Sequence, residues 1–513
     1  MVIIDQKIRD EILKHKGSLV VRASAGSGKT TIMVKKIKKV IEEITNHKTV
    51  AAITFTKKAT QEIRNKYNEL GGQDSFFVTT NDSFIEQEII RPFINDAYRD
   101  SRFSDNDLSD FNNDYSPSVF TTYDSLIYNL AQNKLLAKYS DNTKNFKFEL
   151  ALEIVKNSTA CQEYLKYKYQ MIFIDEYQDS DSDMHNLFVY LYERLSIDLF
   201  IVGDTKQAIY LWRGARADIF EQLPNKIEVK ILSHNFRSHP EIVNYAALIH
   251  ELDDCIFPNR NCERHVEICN LNNSDLGDLI MSDHINREKE ITIIVAKNEE
   301  ATNYQSLLKE NYGLDFEYIP RTPIDDNQSS HTQYLKLIAR YYYEAITIFE
   351  FASECGLEAS KTQLNKLKTS MDGLRDLFPV RTDVDFDCER FNDILNDVYS
   401  YLEIQFTQSE IKQLYDTFSN DSNKIAYVPS QSKYKIMTIF AAKGLEFDQV
   451  IGFGKDYLLS NQNKNNNHYV LITRAKEKVI MIDGGCYKSD IDKLISSKGI
   501  NSGCFYSSYK FKE

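Results

Sequence analysis

Residues 23–30, which read ASAGSGKT, constrain this chain more than any other segment. They follow a short apolar run and open a helical stretch, so we expect a strand, a tight loop and a helix. Gly26 and Gly28 let the backbone curl so that its amides face phosphate oxygens. Lys29 can bridge the β- and γ-phosphates, and the Thr30 hydroxyl can ligate magnesium. The sequence therefore predicts a phosphate-binding loop.

A second apolar run, 172–174, ends in two carboxylates, Asp175 and Glu176. On an arbitrary strand end such a pair would be a solvated turn. Downstream of a phosphate loop, Asp175 would hold magnesium and Glu176 would polarise the attacking water. Residues 202–207 end the next apolar run, where the Gln207 amide can donate and accept hydrogen bonds and so sense a γ-phosphate. A polar turn is the alternative for Gln207.

Short apolar runs alternate with helical stretches along most of the chain, which is typical of buried parallel strands. The predicted strands are 19–21, 51–53, 172–174, 199–202 and 229–232, then 291–295, 436–438, 450–451 and 479–482. Two such sets predict an α/β class with two lobes and mainly helical insertions. The first lobe is expected over 1–87 and 151–250 with an insertion over 88–150, and the second over 251–321 and 429–513 with an insertion over 322–428.

Two segments between the predicted strands have a distinct character. Apolar residues at helical spacing in the second insertion, such as Leu335, Ile338, Phe391 and Leu395, are expected to form helix cores. Residues 461–467, which read NQNKNNN, are low in complexity and are expected to form a mobile surface loop.

Composition sets the class of protein but not its partner. The net charge of −13 argues against broad nucleic-acid binding, although a sliding motor needs only a local basic groove. Cys255, Cys262 and Cys269 are spaced too widely for the usual zinc knuckle, so reduced thiols are expected. The N-terminal apolar run is too short for a signal peptide, and no stretch reaches the ~20 apolar residues of a membrane span. We expect a soluble, cytoplasmic protein.

An ordered set of motifs resembles the UvrD/Rep-type superfamily-1A DNA helicases. The segments are 54–59 (TFTKKA), 175–179 (DEYQD), 203–215 (GDTKQAIYLWRGA), 235–238 (NFRS), 442–447 (AKGLEF) and 473–475 (TRA). One motif can arise by accident, whereas this set extends across nearly the whole chain. The resemblance implies two RecA-like parallel-sheet lobes (1A and 2A) with helical insertions (1B and 2B). It also implies ATP hydrolysis with Mg²⁺ and 3′-to-5′ movement on single-stranded or partly duplex DNA.

The resemblance assigns roles at the nucleotide site. Gln6 would read adenine, and Phe236 would stack on the base. Arg64 and Arg237 would contact the γ-phosphate from the first lobe, and Arg474 would be the arginine finger from the second, with a helix-end salt bridge as its alternative. The predicted catalytic residues are Lys29, Glu176, Gln207, Arg237 and Arg474. Further nucleotide contacts are expected at Gln6, Ala25, Gly26, Ser27, Gly28, Thr30, Thr31, Arg64, Phe236, Gly444 and Glu446, and metal ligands at Thr30 and Asp175.

Some positions depart from the family pattern. Thr31 stands where many relatives carry an arginine that packs on adenine, so base selectivity is expected to be looser. Phe440 replaces a frequent histidine, which puts the coupling of DNA and ATP in doubt.

The expected DNA track begins at Tyr210, Trp212 and Arg213. Aromatic rings beside a cationic side chain suit single strands, because every base has a face to stack on. A core position for Trp212 is the alternative. The resemblance adds contacts from the first lobe at Phe55, Thr56, Thr80 and Asn81.

Stretches outside the shared motifs, 80–84, 88–94 and 179–188, resemble the helicase-like B subunits of Gabija anti-phage defence systems. That likeness implies a hetero-oligomeric complex with a Gabija A-type OLD/TOPRIM nuclease that degrades phage DNA. Two other functions stay open. A nucleotide-gated DNA-end sensor and assembly subunit is favoured by short insertions and Phe440, and a repair helicase would be favoured by a genome context without a neighbouring nuclease gene.

Substitution of Trp212 by alanine should weaken single-strand affinity by about 1–3 kcal/mol, because one stacking platform is lost. A fluorescence titration with single-stranded DNA measures this. Unchanged affinity would place Trp212 in the core.

Overall fold

Two parallel β-sheets form the framework of the chain. The structure is a computed structural model that describes residues 3–72, 76–114, 118–141, 143–209, 216, 218–225, 227–248, 263–318, 320, 322–326, 331–355, 357, 360–378, 388–402, 404, 406–428, 432–457, 462–497, 499 and 501–511. Tyr210, Trp212 and Arg213, which were predicted to contact DNA, lie outside these residues, as do Cys255 and Cys262.

Strands and helices alternate along most of the described chain. The strands are β1 (Leu19–Ala23), β2 (Thr49–Thr54), β3 (Phe77–Thr80), β4 (Asn112–Asn113), β5 (Leu135–Leu136), β6 (Tyr169–Ile174), β7 (Asp198–Gly203), β8 (Glu228–Leu232), β9 (Val266–Asn270), β10 (Ile291–Val295), β11 (Glu317–Tyr318), β12 (Tyr434–Thr438), β13 (Phe447–Phe453), β14 (Ala475–Ile482) and β15 (Ser507–Lys510). The α-helices are α1 (Gln6–Lys14), α2 (Lys29–Glu43), α3 (Lys57–Glu69), α4 (Asn81–Ile85), α5 (Arg91–Ala97), α6 (Tyr123–Asn133), α7 (Phe146–Asn157), α8 (Thr159–Lys168), α9 (Ser182–Leu195), α10 (Pro240–Ala247), α11 (Leu276–Met281), α12 (Asn298–Tyr312), α13 (Thr332–Tyr342), α14 (Ile348–Cys355), α15 (Lys361–Leu377), α16 (Cys388–Leu402), α17 (Gln408–Phe418), α18 (Ile439–Ala442), α19 (Gln462–Ile472) and α20 (Tyr487–Ser497).

The first sheet has the order β3-β2-β6-β7-β1-β8, and its described pairings are parallel. Successive side chains of a strand point to opposite faces, and both faces of a parallel sheet are covered. In β1, Leu19 and Val21 pack in the core under α1–α3, whereas Val20 joins the core under α4–α9. A central strand of this kind is therefore apolar at almost every position.

The second sheet has the order β11-β12-β10-β13-β14-β9-β15, again with parallel pairings. One face packs against α11 and α12, and the other packs against α10, α19 and α20. The latter core also contains Ala25 and Ile209 of the first lobe, so the two lobes share apolar contact. The parallel-sheet α/β class predicted from the sequence is confirmed.

Helix α10 lies within the range expected for the first lobe but packs in the core of the second. The predicted domain boundaries otherwise stay predictions. No helix among the described residues is both long enough and apolar enough to cross a bilayer.

The second insertion is a helical unit with its own core. Residues of α13, α15, α16 and α17 form one buried cluster, in which Leu335, Ile338, Phe391 and Leu395 are at most 1% exposed. Capping boxes at Ser360 and Thr407 fix the starts of α15 and α17. The predicted core role of these apolar stripes is confirmed.

The expectation of a mobile surface loop over 461–467 is wrong for its described part. Helix α19 begins at Gln462, and the buried Asn466 donates a hydrogen bond to the carbonyl of Ala208 at 2.8 Å. The asparagine run therefore includes a contact with the first lobe.

Substitution of Phe188 by alanine should destabilise the first lobe by about 3–5 kcal/mol, because a fully buried ring is removed and leaves a cavity. The ring lies 6.2 Å from that of Phe84, measured between centroids. Val119→Ala is the matched control: its side chain is 83% exposed, so a change within about 0.5 kcal/mol is expected. Urea unfolding measures both, and equal effects of the two variants would contradict the packing.

Candidate nucleotide-binding cleft

The loop between β1 and α2 has the backbone form that a phosphate cradle needs. Gly26 and Gly28 adopt left-handed φ values of 71° and 78°, which glycine reaches without a steric penalty. A Cβ on Gly26 would lie 2.7 Å from Asn235 Oδ1, so a side chain there would also collide with its neighbours. Gly28 caps α2, which begins at Lys29 and carries Thr30 and Thr31 in its first turn. The free amides at such a helix start can bind an anion.

Helix α1 contacts this loop through Arg9. Arg9 Nη2 donates to the carbonyl of Ser27 at 2.8 Å, and its guanidinium is bound to Asp5 by two hydrogen bonds of 2.7 and 3.1 Å. Asp5 also accepts from the amides of Ser233 and His234, both at 3.0 Å. In the sequence, Asp5 and Arg9 are an acidic and a basic residue four positions apart, a spacing that is common on solvated helices. The contact of Arg9 with the phosphate loop was therefore not predicted.

Lys29 lies opposite the carboxylates at the end of β6. Its Nζ is 3.6 Å from Glu176 Oε2 and has no hydrogen-bond partner among the described residues. Burial, and then the neighbouring Glu176 charge, raise the pKa of Asp175 to about 7. Partial burial opposes ionisation of Glu176, but the charges of Lys29 and Lys443 outweigh it and hold its pKa below the ordinary value. The cleft therefore contains a readily ionised carboxylate, Glu176, beside one, Asp175, whose ionised form a bound cation would stabilise.

A hydrogen-bond chain runs from these carboxylates to the end of β7. Gln178 Nε2 donates to Glu176, and Gln178 Oε1 accepts from the amide of Asp204 at 2.9 Å. The Asp204 carboxylate in turn accepts from Gln207 Nε2 at 2.7 Å. The predicted sensor Gln207 is thus connected to Glu176 through two side chains that the sequence did not single out.

Charged groups of both lobes, Arg237 of the first and Glu446 and Arg474 of the second, meet at this side of the cleft. Arg237 Nη2 lies 2.9 Å from Glu446 Oε1, and Arg237 Nη1 donates to the carbonyl of Thr473 at 3.4 Å. Arg474 is 1% exposed and donates to the carbonyls of Val470 and Leu445, both at 3.0 Å. Burial and the charge of Arg237 lower the pKa of Arg474 to about 10, so the guanidinium stays charged at neutral pH.

The remaining predicted nucleotide residues differ in their placement. Phe236 is half exposed, stands 3.8 Å from a Cβ built on Gly28, and lies over the guanidinium of Arg9 at 4.9 Å. Gln6 is exposed and donates to Asp10, and Arg64 donates to the carbonyl of Val78 on β3. These bonds direct Gln6 and Arg64 to neighbours other than the loop.

Gly444 has a left-handed φ of 82° in the turn between α18 and β13, two residues before Glu446. Phe440 lies on α18 and is 39% exposed.

The predicted DNA contacts of the first lobe meet at one edge of its sheet. Thr54 pairs with Thr80 across β2 and β3, so the residues that follow the two strands are neighbours. Thr56 caps α3 and Thr80 caps α4. Phe55 packs partly against the core, and Asn81 Nδ2 approaches Met184 Sδ at 3.8 Å. The edge combines the exposed Thr56 with the half-buried Thr80, Asn81 and Phe55.

The residues present fit a triphosphate with Mg²⁺. The buried hydroxyl of Ser27 and the Lys29 ammonium have no hydrogen-bond partner among the described residues, and two left-handed glycines keep the loop open. Asp175 is a buried carboxylate with a raised pKa, which a divalent cation would relieve. Thr30 and Asp175 supply the hard oxygen donors that Mg²⁺ prefers.

Lys443 joins the lobes through Asp179. Its Nζ donates to Asp179 Oδ1 and Oδ2 at 2.8 and 2.7 Å and to the carbonyl of Gln207 at 3.1 Å. The two side chains are 10% and 6% exposed, so the pair is shielded from water. Burial raises the pKa of Asp179 to about 6 even though Lys443 opposes that rise.

Substitution of Lys443 by methionine should therefore destabilise the protein by about 3 kcal/mol near pH 8, because an unpaired carboxylate is left buried. The pKa of Asp179 in the folded state lies above its unfolded value of 3.8. Ionisation of Asp179 therefore lowers the free energy of unfolding as pH rises through the folded pKa. Without Lys443 that pKa rises further, so the deficit should grow between pH 5.5 and pH 8. Thermal unfolding at both pH values measures it, with Lys443→Arg as the charge-retaining control. A deficit independent of pH would contradict this account.

Comparison with known proteins identifies the family. The UvrD/REP helicase N-terminal domain matches residues 4–154 and 127–228, and the UvrD-like helicase C-terminal domain matches residues 434–482. The chain is 36% identical over 505 residues to Gabija protein GajB of Bacillus cereus (strain VD045), which covers 96% of this chain and 99% of that protein. It is 27% identical over 285 residues to ATP-dependent DNA helicase PcrA of Staphylococcus aureus (strain Mu50), covering 45% of this chain and 37% of that helicase. The cleft around Lys29, the family domains at both ends and the near-full-length similarity to GajB lead to one conclusion: the chain belongs to the UvrD/REP helicase family.

Proposed function

We propose that the chain is the ATP-dependent DNA motor or DNA-sensing subunit of a Gabija-type anti-phage defence complex. One observation carries the enzymatic part: Lys29 and Glu176 of the first lobe share a cleft with Arg237 and the second-lobe residues Glu446 and Arg474. Arg237 donates to the carbonyl of Thr473, directly before Arg474, and Arg474 donates to the carbonyl of Leu445, directly before Glu446. A triphosphate placed on the loop would be in reach of groups from both lobes.

The chemistry at the site follows from the charges. The loop amides and Lys29 would hold the phosphates, and the low pKa of Glu176 keeps its carboxylate available to orient water. Arg237 and Arg474 would stabilise charge that develops on the phosphoryl group. Arg474 donates to its own lobe in the structure, so it would have to exchange at least one of those bonds for a phosphate oxygen.

Mg²⁺ held by Thr30 and Asp175 would neutralise charge on the β- and γ-phosphates. Phe236 would cover the base beside the loop, and Gln207 would report the γ-phosphate through Asp204. Gln6 and Arg64 would reach the nucleotide only after giving up their bonds to Asp10 and Val78.

Movement would arise from the lobes. Closure on ATP and opening after hydrolysis would alternate their grip on a single strand, in the 3′-to-5′ direction expected for the family. Phe55, Thr56, Thr80 and Asn81 would form part of the track with Tyr210, Trp212 and Arg213. The similarity to GajB over nearly the whole chain supports a role in Gabija defence, with a GajA-type nuclease as partner.

A nucleotide-gated DNA-end sensor that hydrolyses ATP but unwinds little is the second candidate. Phe440, at a position where the family often has histidine, favours it, because an exposed ring stands on α18, three residues before Lys443 of the link between lobes. A strand-displacement assay separates the two candidates: processive unwinding supports the motor, and DNA-stimulated hydrolysis without unwinding supports the sensor. Co-purification with the product of the neighbouring gene tests the partner. Absence of a nuclease neighbour would favour a repair helicase.

Glu176→Gln should lower DNA-stimulated ATP turnover by about 10²-fold or more, because the amide cannot take a proton from the attacking water. ATP affinity should be retained, since Lys29 and the loop are intact. Lys29→Ala should abolish turnover by removing the phosphate-binding ammonium group. Hydrolysis with and without single-stranded DNA, together with equilibrium binding of ATP, measures both variants.

Glu153→Gln is the matched control, because this carboxylate pairs with Lys156 on the exposed face of α7. It should hydrolyse ATP at the wild-type rate. Unchanged hydrolysis in Glu176→Gln would remove the role assigned to Glu176.

A further inference from the structure

Tyr469 belongs to α19 in the second lobe, yet its hydroxyl contacts Ala25, Asp204 and Ser24 of the first. It accepts a hydrogen bond from the amide of Ala25 at 3.2 Å and donates one to Asp204 Oδ2, also at 3.2 Å. The side chain is 4% exposed, and its ring packs in the core that Ala25 joins. One phenol therefore bridges the phosphate loop and the loop after β7.

The partner at one end of this bridge is an amide of the phosphate loop. Ala25 lies directly before Gly26, in the part of the loop whose amides are expected to face phosphate oxygens. An amide binds a charged phosphate oxygen more strongly than a neutral hydroxyl. A bound triphosphate would therefore compete with Tyr469 for the Ala25 amide.

The partner at the other end is the aspartate that holds Gln207. Asp204 accepts from both Tyr469 and Gln207 on the same oxygen, and its amide donates to Gln178, which donates to Glu176. Burial and the nearby Asp204 charge raise the pKa of Tyr469 well above its ordinary value, so the hydroxyl keeps its proton and stays the donor to Asp204. Any shift of the phenol would be transmitted to Asp204.

The helix that carries Tyr469 has other bonds to the same region. Asn466, one turn earlier, donates to the carbonyl of Ala208 at 2.8 Å. Lys206 Nζ lies 5.6 Å from the centre of the Tyr469 ring and donates to Ser24 Oγ at 3.3 Å. These contacts hold α19 against both loops, so the phenol and the loops cannot move independently.

We propose that Tyr469 is a positioning residue that couples occupancy of the phosphate loop to the contact between the lobes. This inference rests on the proposed ATPase function. Before nucleotide binds, the hydroxyl holds the Ala25 amide. A bound triphosphate then accepts the hydrogen bond from the Ala25 amide in place of the Tyr469 hydroxyl. That hydroxyl keeps its bond to Asp204, so a shift of Tyr469 and α19 also shifts Asp204 and Gln207.

Tyr469→Phe tests the proposal, because it removes the hydroxyl and keeps the ring. The Ala25 amide is then free for phosphate, so the affinity for ATP without DNA should rise about 2–10-fold, the range of one net hydrogen bond. Stimulation of kcat by single-stranded DNA should fall by a similar or larger factor, since Asp204 loses its link to the second lobe. A merely structural role would not raise the ATP affinity.

The matched control is Tyr506→Phe, which removes a buried hydroxyl that donates to Asp492 in the same lobe. It should leave both ATP affinity and DNA stimulation unchanged. The proposal is overturned if Tyr469→Phe binds ATP no more tightly than the wild type does and if single-stranded DNA stimulates its kcat as strongly as that of the wild type. Failure of the wild-type chain to hydrolyse ATP would instead contradict the proposed function, and the affinity comparison would still test Tyr469.

Discussion

Charge compensation around Lys29 is the interaction on which the cleft depends. A shielded ammonium group without a hydrogen-bond acceptor is costly unless an anion lies nearby, and Glu176 supplies one at 3.6 Å. The same ammonium keeps Glu176 ionised, whereas burial beside that charge holds Asp175 nearer to neutrality. The pKa values of two adjacent carboxyl groups thus shift in opposite directions, because Asp175 is more deeply buried and Glu176 lies beside the Lys29 ammonium group. The roles proposed for them, orienting water for Glu176 and binding a metal ion for Asp175, are consistent with that difference.

The parts of the fold that could be predicted are those in which residues adjacent in sequence determine the local structure. Buried parallel strands must be apolar on both faces, so runs such as 172–174 and 291–295 identify the sheets directly. A glycine-rich turn between a strand and a helix likewise carries its own local signal, which is why the loop at 23–30 could be located. Strands in which polar residues interrupt the apolar ones, such as β9 (VEICN) and β15 (SSYK), gave no comparable run and were not predicted.

The contacts between the lobes could not be predicted in the same way. Tyr469 and Ala25 are separated by 444 residues, and nothing in the local sequence distinguishes this tyrosine from the other tyrosines among the 31 in the chain. The asparagine run at 461–467 was misread for a related reason: its composition is that of a solvated segment, but tertiary packing turns Asn466 inward onto Ala208. Polar residues that satisfy buried partners have no compositional signature.

The chemical nature of the contacts between lobes explains how a nucleotide could control them. Arg237–Glu446, Lys443–Asp179 and Tyr469–Ala25 are all polar, and all lie beside groups expected to meet phosphate. A neutral hydrogen bond such as Tyr469–Ala25 contributes only about 0.5–1.5 kcal/mol net, and a bond between charged groups about 1.5–3 kcal/mol. A triphosphate brings several charged acceptors to donors such as the Ala25 amide and the Arg237 guanidinium, and would compete there with the acceptors of the second lobe. The shared apolar contact of Ala25 and Ile209 would meanwhile keep the lobes together.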